Sequence, residues 1–221
     1  MIDVDTLVPL DYPNDITTNC PDPYNESVLM LHAVASANPY DFDNNDDYGT
    51  SMDRLMYWTS QRDLLRKKFA WAIPSPEAVK ALVELGPIIE IGAGTGYWAR
   101  MIADNGGDIL AFDSCPPDQV ANSHCGTKTW NPVNSGSHEE CANHSERALM
   151  LCWPSYESDF ATKCLSTYTG NVVAFIGEGK GGCTADDSFF DLLETEWVLE
   201  SQIKIPNWAG FEDDLCIWRR R

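Results

Sequence analysis

A short glycine-rich segment between an apolar run and a helix-forming segment constrains the fold of this chain more than any other feature of its sequence. The apolar run Pro87–Ile91 predicts a buried strand, and Glu90 stands close to its end. Three glycines follow at alternate positions, Gly92, Gly94 and Gly96. Glycines so placed allow a sharp turn and a close approach of the backbone to a ligand. The segment therefore predicts a ligand-binding strand–loop–helix unit.

An acidic residue stands where a ribose would meet this loop. The next predicted strand ends on Asp113, about 20 residues after Glu90. A carboxylate at that point can accept hydrogen bonds from both hydroxyls of a ribose. A dinucleotide-binding fold uses the same arrangement, but its fingerprint requires a further glycine where this chain has Tyr97. The pattern thus favours a nucleoside ligand other than a dinucleotide, and a purely structural loop is the remaining alternative.

Strand-like and helix-like segments alternate beyond the loop, which predicts a parallel α/β sheet. Two strand-like segments with no helix between them, 198–205 and 214–220, predict a terminal hairpin. The predicted fold is a doubly wound, mostly parallel, seven-stranded sheet with an antiparallel last strand and a helical N-terminal extension. Ser75 and Thr184 are the expected N-caps of two helices. The remaining predicted elements are helices over 26–38, 51–72, 75–86, 97–105, 159–168 and 184–197, and strands over 108–113, 127–130, 147–153 and 171–177.

The acid-preceded Gly-x-Gly-x-Gly loop resembles motif I of class I S-adenosylmethionine (SAM)-dependent methyltransferases, and Asp113 resembles their motif II acid. The resemblance covers roughly residues 70–221 and includes the terminal hairpin. It implies the class I methyltransferase fold, SAM as cofactor and methyl transfer as the activity. It also implies a SAM-binding domain over 71–221, with an irregular and helical extension over 1–70 that covers the site. The cofactor-binding residues that it suggests are Trp71, Glu90, Gly92, Ala93, Gly94, Gly96, Tyr97, Asp113, Ser114 and Trp153.

The fourth predicted strand of this unit ends in the sequence Cys-Trp-Pro-Ser-Tyr over 152–156. This segment partly resembles the Asn-Pro-Pro-Tyr motif of amino-methylating nucleic-acid enzymes, with Trp153 in place of Asn and Ser155 in place of the second Pro. The loss of the Asn amide argues against a DNA amino-methyltransferase. Trp153 can instead stack on adenine or close over a sulfonium by cation–π attraction. The alternative is that Trp153 and Tyr156 only fill the sheet edge, as Trp71 would fill a helix packing position.

Three residues are candidates for facing the methyl acceptor. His124 follows the second strand and is suited to act as a base or to orient the acceptor. Tyr156 ends the altered motif, and Glu178 follows the fifth strand in a glycine-rich turn, where a carboxylate can bind the acceptor or remove a proton. A solvated loop acid is the equal alternative for Glu178. That turn is not a phosphate-binding loop, because no Ser or Thr follows Lys180.

Two clusters of potential metal ligands resemble known metal sites but match none of them. No metal is predicted. Three histidines and three cysteines lie between residues 115 and 144, but their spacing matches no familiar zinc site. The acidic segment over 41–52 alternates acids as a calcium loop does. It has Asp46 where that loop requires Gly, and Met52 where it requires Glu.

The formal net charge of the 221 residues is −19. So acidic a surface repels phosphate backbones, which makes nucleic acid an unlikely partner and a small-molecule acceptor the expected one. No apolar run is long enough to span a bilayer and no secretory signal is evident, so a cytoplasmic protein with free thiols at its 8 cysteines is expected. The alternatives are a SAM-binding protein without activity and a methyltransferase that acts on protein or RNA with a partner. The acceptor atom and the oligomeric state stay open.

Overall fold

The computed structural model describes residues 48–120, 124–125 and 129–221. The predicted helix over 26–38, most of the acidic segment over 41–52 and part of the predicted strand over 127–130 lie outside these residues. No helix within the described ranges is both long and apolar enough to span a membrane. The helices are α1 (Tyr48–Lys68), α2 (Pro76–Glu84), α3 (Tyr97–Asp104), α4 (Glu140–Asn143), α5 (Phe160–Thr167) and α6 (Asp187–Glu196). The strands are β1 (Ile88–Ile91), β2 (Ile109–Asp113), β3 (Asn134–Ser135), β4 (Ala148–Cys152), β5 (Val172–Gly177), β6 (Trp197–Lys204) and β7 (Asp214–Arg220).

The seven strands form one sheet in the order β3-β2-β1-β4-β5-β7-β6. Strands β1 to β5 pair in parallel, whereas β7 is antiparallel to both of its neighbours, β5 and β6. The predicted fold class, including the antiparallel last strand, is confirmed. The order reverses between β1 and β4, which is where an open α/β sheet leaves a crevice for a ligand.

Alternation along the central strands divides the core into two layers. Ile88 and Met150 face one layer, where they pack with Leu82 and Trp98 from the helices on that side. Ile89 and Leu149 face the opposite layer, where the helices α5 and α6 cover them. Because apolar side chains leave the central strands on both faces, these strands are continuous apolar runs, as is typical of parallel sheets.

The two predicted N-caps have different outcomes. Ser75 caps α2, because its hydroxyl oxygen accepts a hydrogen bond from the N–H of Ala78 at 3.2 Å. The prediction for Thr184 is wrong: α6 begins at Asp187, with Asp186 in the N-cap position. The buried Thr184 hydroxyl instead donates to the carbonyl of Glu178 at 2.8 Å, since the chain folds back onto the end of β5 before α6 begins.

Two boundaries near the glycine loop also differ from prediction. Helix α1 ends at Lys68 rather than near residue 72, and the carbonyl of Phe69 accepts a hydrogen bond from the Thr95 hydroxyl. The third strand is β3 rather than the run that ends at Trp130. Trp130 instead donates its backbone N–H to Thr95 at 2.8 Å and its indole N–H to the carbonyl of Lys68 at 2.7 Å. These bonds tie α1, the glycine loop and the segment before β3 together.

Candidate functional site

A cavity of about 700 Å³ opens at the carboxyl ends of β1, β2 and β4. This is the edge of the sheet at which the strand order reverses, so its position follows from the topology. The end of α1 and the turn after it supply a further wall. The lining residues are Arg66, Phe69, Ala70, Trp71, Glu90, Ile91, Gly92, Ala93, Gly94, Thr95, Tyr97, Trp98, Asp113, Ser114, Cys115, His124, Cys125, Cys152, Trp153, Pro154, Ser155, Tyr156, Glu157, Ser158, Phe160 and Cys183.

The glycine loop has a backbone conformation that favours glycine. Gly92 and Gly94 line the cavity, whereas the predicted cofactor-binding residue Gly96 is not among the lining residues. Gly92, Gly94 and Gly96 have φ angles of 78°, 54° and 69°. A side chain at Gly94 would place its Cβ 3.0 Å from the Sγ of Cys125, and one at Gly96 would place it 2.9 Å from Val133. Glycine is therefore required both for the backbone conformation and for the space above the loop.

Asp113 fixes the shape of this loop through two hydrogen bonds to backbone N–H groups. One carboxylate oxygen accepts the N–H of Gly94 at 2.8 Å, and the other accepts the N–H of Cys115 at 2.8 Å. Each oxygen keeps a second lone pair that can accept a hydrogen bond from a hydroxyl. The predicted ribose partner is thus also the residue that links the loop to the end of β2.

Glu90 is a buried acid that bonds to nothing through one of its oxygens. Its side chain is 2% exposed, and Oε2 has no hydrogen-bond partner among the described residues. Burial, followed by the nearby charge of Asp113, raises the pKa of Glu90 to about 8. Because an unsatisfied buried polar atom is costly, a cationic or hydrogen-bond-donating ligand in the cavity would stabilise this side chain.

Two indole rings form an aromatic wall of the cavity. The rings of Trp71 and Trp153 stack with centroids 4.3 Å apart and an interplanar angle of 6°. The guanidinium of Arg66 lies 4.5 Å from the Trp71 ring centroid. Trp71, for which helix packing alone was the alternative role, therefore lines the cavity together with Trp153.

The three candidate acceptor residues are not brought to one place. His124 and Tyr156 both line the cavity; Tyr156 is 54% exposed and donates to Glu157 at 3.2 Å. The charge of Glu157 raises the pKa of Tyr156. Glu178 is not among the lining residues, and its two carboxylate oxygens accept the backbone N–H groups of Cys183 at 2.7 Å and Glu212 at 3.1 Å. Glu178 thus joins the backbone of its own loop to that of the segment before β7. Its catalytic role stays a prediction.

Several lining residues escaped the sequence reasoning. Arg66 reaches the cavity from the last turn of α1, and the Phe160 ring lies under Gly92, where an added Cβ would come within 3.2 Å of it. Asp213, outside the lining, accepts the indole N–H of Trp153 at 2.9 Å. A helical spacing that aligns Arg66 with Phe69 was available as a signal, but nothing near Asp213 in the sequence points to Trp153.

The histidine and cysteine cluster does not converge in the described part of the chain. His144 packs against the ring of Phe112 at 5.6 Å, and Cys141 is buried among apolar residues. No group of three potential ligands that could hold a metal ion occurs within residues 48–120, 124–125 and 129–221. The cysteines in these ranges are present as free thiols.

The sheet order, the antiparallel β7 and the acid-flanked glycine loop are those expected of the class I methyltransferase fold, so the resemblance predicted from motif I holds at the level of the fold. No protein-family model matches the sequence, and no curated protein is significantly similar to it.

Solved structures with a similar fold include three methyltransferases. The 1,6-didemethyltoxoflavin-N1-methyltransferase of Burkholderia thailandensis is 14% identical, with 82% of this chain and 93% of that chain covered and a TM-score of 0.47. The magnesium protoporphyrin IX methyltransferase of Synechocystis PCC 6803 is 10% identical, with 93% and 100% covered and a TM-score of 0.42. A putative SAM-dependent methyltransferase from Streptococcus mutans is 8% identical with a TM-score of 0.41; 65% of this chain matches 46% of that one, about half its length. At these values the likeness adds no weight to a function, which rests on the residues of this chain.

Proposed function

We propose that this chain is a SAM-dependent methyltransferase and that its acceptor is a small molecule. The observation that carries the proposal is the buried Glu90, with an oxygen that lacks a partner among the described residues, beside the left-handed glycines Gly92 and Gly94 in the same cavity. A buried carboxyl oxygen without a hydrogen-bond partner is costly, and a donor group of a ligand in the cavity would satisfy it.

The chemical groups of SAM fit the donors and acceptors that line the cavity. Glu90 would accept hydrogen bonds from the ammonium group, and the remaining lone pairs of Asp113 would accept the ribose hydroxyls. The glycine loop admits a close backbone contact, and the wall formed by Trp71 and Trp153 offers stacking or cation–π attraction. When bound, SAM supplies a methyl group on a positively charged sulfur, which leaves as a neutral thioether.

The chain itself has to align the acceptor, exclude water and remove a proton where the acceptor requires it. His124 is the candidate base, because it lines the cavity and an imidazole nitrogen can accept a proton. Tyr156 lies at the exposed rim, where an acceptor would enter. We also propose that the extension over 1–70 covers the site, because Arg66, at the end of α1, lines the cavity.

The size and charge of the molecule support a small acceptor. A cavity of about 700 Å³ is in the range of small-molecule sites. The net charge of −19 disfavours nucleic acid. Glu90 and Asp113 belong to the paired strands β1 and β2, whereas Tyr156 and Glu157 follow β4, so the acceptor would occupy the part of the cavity near Tyr156 and Glu157.

Calorimetric titration with S-adenosylhomocysteine (SAH) tests the proposed cofactor. Wild-type protein should bind SAH, and Gly94→Ala should weaken binding by about tenfold or more, since its Cβ crowds the loop and its backbone is strained. Gly106→Ala is the matched control: Gly106 has a similar φ of 84°, but no atom lies within 4 Å of the added Cβ. Its affinity should equal that of the wild type. A wild-type protein that binds neither SAM nor SAH would defeat the proposal.

Transfer of a labelled methyl group from SAM, in the presence of cell extract, tests activity and acceptor class. Label in the small-molecule fraction supports the proposed acceptor. Label retained in macromolecules would instead favour an enzyme that acts on protein or RNA with a partner. SAH binding without any transfer would identify a SAM-binding protein that lacks activity.

A further inference from the structure

Trp153 is held in an unusual conformation by several separate contacts. Its φ of 52° is positive, which costs about 1–2 kcal/mol for a residue with a side chain. Its backbone N–H donates to the carbonyl of Ile176 at 2.8 Å, and its ring stacks on Trp71. Its indole N–H donates to Asp213 at 2.9 Å. Such a conformation persists only where the surroundings determine it, so the placement of this ring is a specific feature of the site.

Asp213 is itself fixed, and its side chain accepts a hydrogen bond from the cavity-lining residue Trp153. The Asp213 side chain is 1% exposed and is not among the residues that line the cavity. Its backbone N–H donates to the side-chain oxygen of Asn207 at 2.6 Å, and the Asn207 amide donates back to its carbonyl at 3.1 Å. Its Oδ2 has no hydrogen-bond partner among the described residues.

A carboxylate is a costly choice for this position. An asparagine would accept the same indole N–H without a buried charge, and a buried carboxylate with one unpartnered oxygen loses most of its hydration. What the carboxylate adds is negative charge at the edge of the ring. Negative charge there strengthens the attraction between the indole face and a cation, and the effect is large where water is excluded.

We propose that Asp213 is a positioning residue that makes Trp153 a better binding partner for a cation in the cavity. The inference rests on the proposed function, because its first candidate cation is the sulfonium of the methyl donor; the second is a quaternary or protonated amine of the acceptor. Both are the same chemistry, a soft positive charge against an aromatic face. Asp113 in the same lining adds to the negative potential that such a cation would meet, whereas the Arg66 guanidinium, 4.5 Å from the Trp71 ring centroid, opposes it.

The affinities of SAM and SAH separate this role from a merely structural one, because the two ligands differ in the charge on sulfur. Burial raises the pKa of Asp213 to about 7, although the hydrogen bond from Trp153 acts to lower it, so titrations at about pH 9 hold the side chain ionised. In Asp213→Asn the ratio of the SAH to the SAM dissociation constant should fall by about fivefold, while SAH affinity stays unchanged. An equal loss of affinity for both ligands, with tetramethylammonium binding unchanged, would show only a structural contribution and would overturn the proposal.

Two further sets of variants make the comparison specific. Asp214→Asn is the matched control, since Asp214 is also buried but its charge is paired with Lys204 at 2.8 Å; the ratio should not change. Trp153→Phe removes the indole N–H. If Asp213 acts through Trp153, adding Asp213→Asn to Trp153→Phe should produce no further change in the ratio, whereas an undiminished fivefold effect would contradict that route.

Tetramethylammonium, added to the protein with and without SAH, distinguishes the two sources of the cation. A lower ratio of the SAH to the SAM dissociation constant in Asp213→Asn assigns the cation to the methyl donor. An unchanged ratio, together with weaker tetramethylammonium binding in Asp213→Asn, assigns it to the acceptor. If Asp213→Asn changes neither this ratio nor the affinity for tetramethylammonium, the proposal is overturned. A wild-type protein that binds neither SAM nor SAH would defeat the proposed function instead, and the tetramethylammonium comparison would still test Asp213.

Discussion

At the scale of single residues, the burial of Glu90 makes the stability of the fold depend on pH. The pKa of this carboxyl is raised from 4.5 to about 8, first by burial and then by the charge of Asp113. Between those two values the folded chain holds a proton on Glu90 that the unfolded chain has lost. Since stability falls with pH wherever the folded state binds more protons, Glu90 reduces stability as pH rises through this window.

The stability of the ligand-free wild type relative to Glu90→Gln should therefore fall as pH increases from about 4.5 to about 8. The slope within the window is at most about 1.4 kcal/mol per pH unit, and the difference should level off above it. Urea unfolding of both proteins at several pH values measures this. The raised pKa of Asp213 acts equally in both proteins and cancels. A wild-type stability that rises relative to the variant would contradict the assignment.

For Glu178 the sequence predicts a catalytic role, whereas its contacts in the structure indicate a structural one. Because its oxygens join the backbones of Cys183 and Glu212, Glu178→Ala should lower the free energy of unfolding by about 1–3 kcal/mol and leave SAH affinity and methyl transfer intact. Urea unfolding and a labelled-methyl assay give the two readouts. Glu194→Ala, an exposed change on α6, is the control for a general effect of losing an acid. Unchanged stability with abolished transfer would establish the catalytic role that the sequence suggested.

The placement of the glycine loop and its two acids beside one cavity was predictable because it depends on short spacings along the chain. Trp71 and Trp153 were nominated from positions in the fold pattern, without any sign that they would stack on each other. Asp213 was not predictable, because it follows Trp153 by sixty residues and meets it only once β7 has paired with β5. Such contacts depend on the assembled sheet, which no local pattern encodes.

At the scale of elements, apolar runs predicted the central strands well, because β1 and β4 are buried on both faces. The third strand was missed since β3 is two residues long and exposed, so that it carries no hydrophobic pattern. The start of α6 was placed too early because Thr184 has the composition of a cap but uses its hydroxyl at the end of β5. At Thr184 a tertiary contact overrode the local signal, whereas β3 offered no local signal at all.

The last strand should depend on one of its two adjacent arginines far more than on the other. Arg220 donates to the carbonyls of Gly170 at 2.9 Å and Tyr168 at 2.7 Å, and its guanidinium lies 4.3 Å from the Trp197 ring centroid. Arg220→Lys cannot reproduce this planar set of donors, so it should cost about 1–2 kcal/mol of unfolding free energy.

The neighbouring Arg219→Lys is the matched control for this change. Arg219 forms an exposed ion pair with Glu200 at 2.7 Å, and such pairs contribute about 0–1 kcal/mol. Urea unfolding of the two variants under the same conditions gives the comparison. Equal losses would show that Arg220 does not anchor β7 to the turn before β5.

At the scale of the whole molecule, 34 acidic residues against 15 basic ones make self-repulsion a general feature of the surface. Repulsion between exposed like charges destabilises a compact state and is screened by salt. We expect the melting temperature to rise when NaCl is increased from about 20 mM to about 150 mM and then to level off, because the Debye length has shortened to about 8 Å. Scanning calorimetry across this range checks it; a melting temperature that falls with added salt would contradict it.

The left-handed backbone at Trp153 has a consequence for anyone who seeks a more robust version of this protein. Glycine at that position would relieve strain of about 1–2 kcal/mol. It would also leave the buried Asp213 without its indole donor, which costs about 1–3 kcal/mol, and the lost stack on Trp71 adds to that cost. Libraries built for stability should therefore hold position 153 constant, in spite of its strained backbone, and place their diversity on the exposed acidic surface.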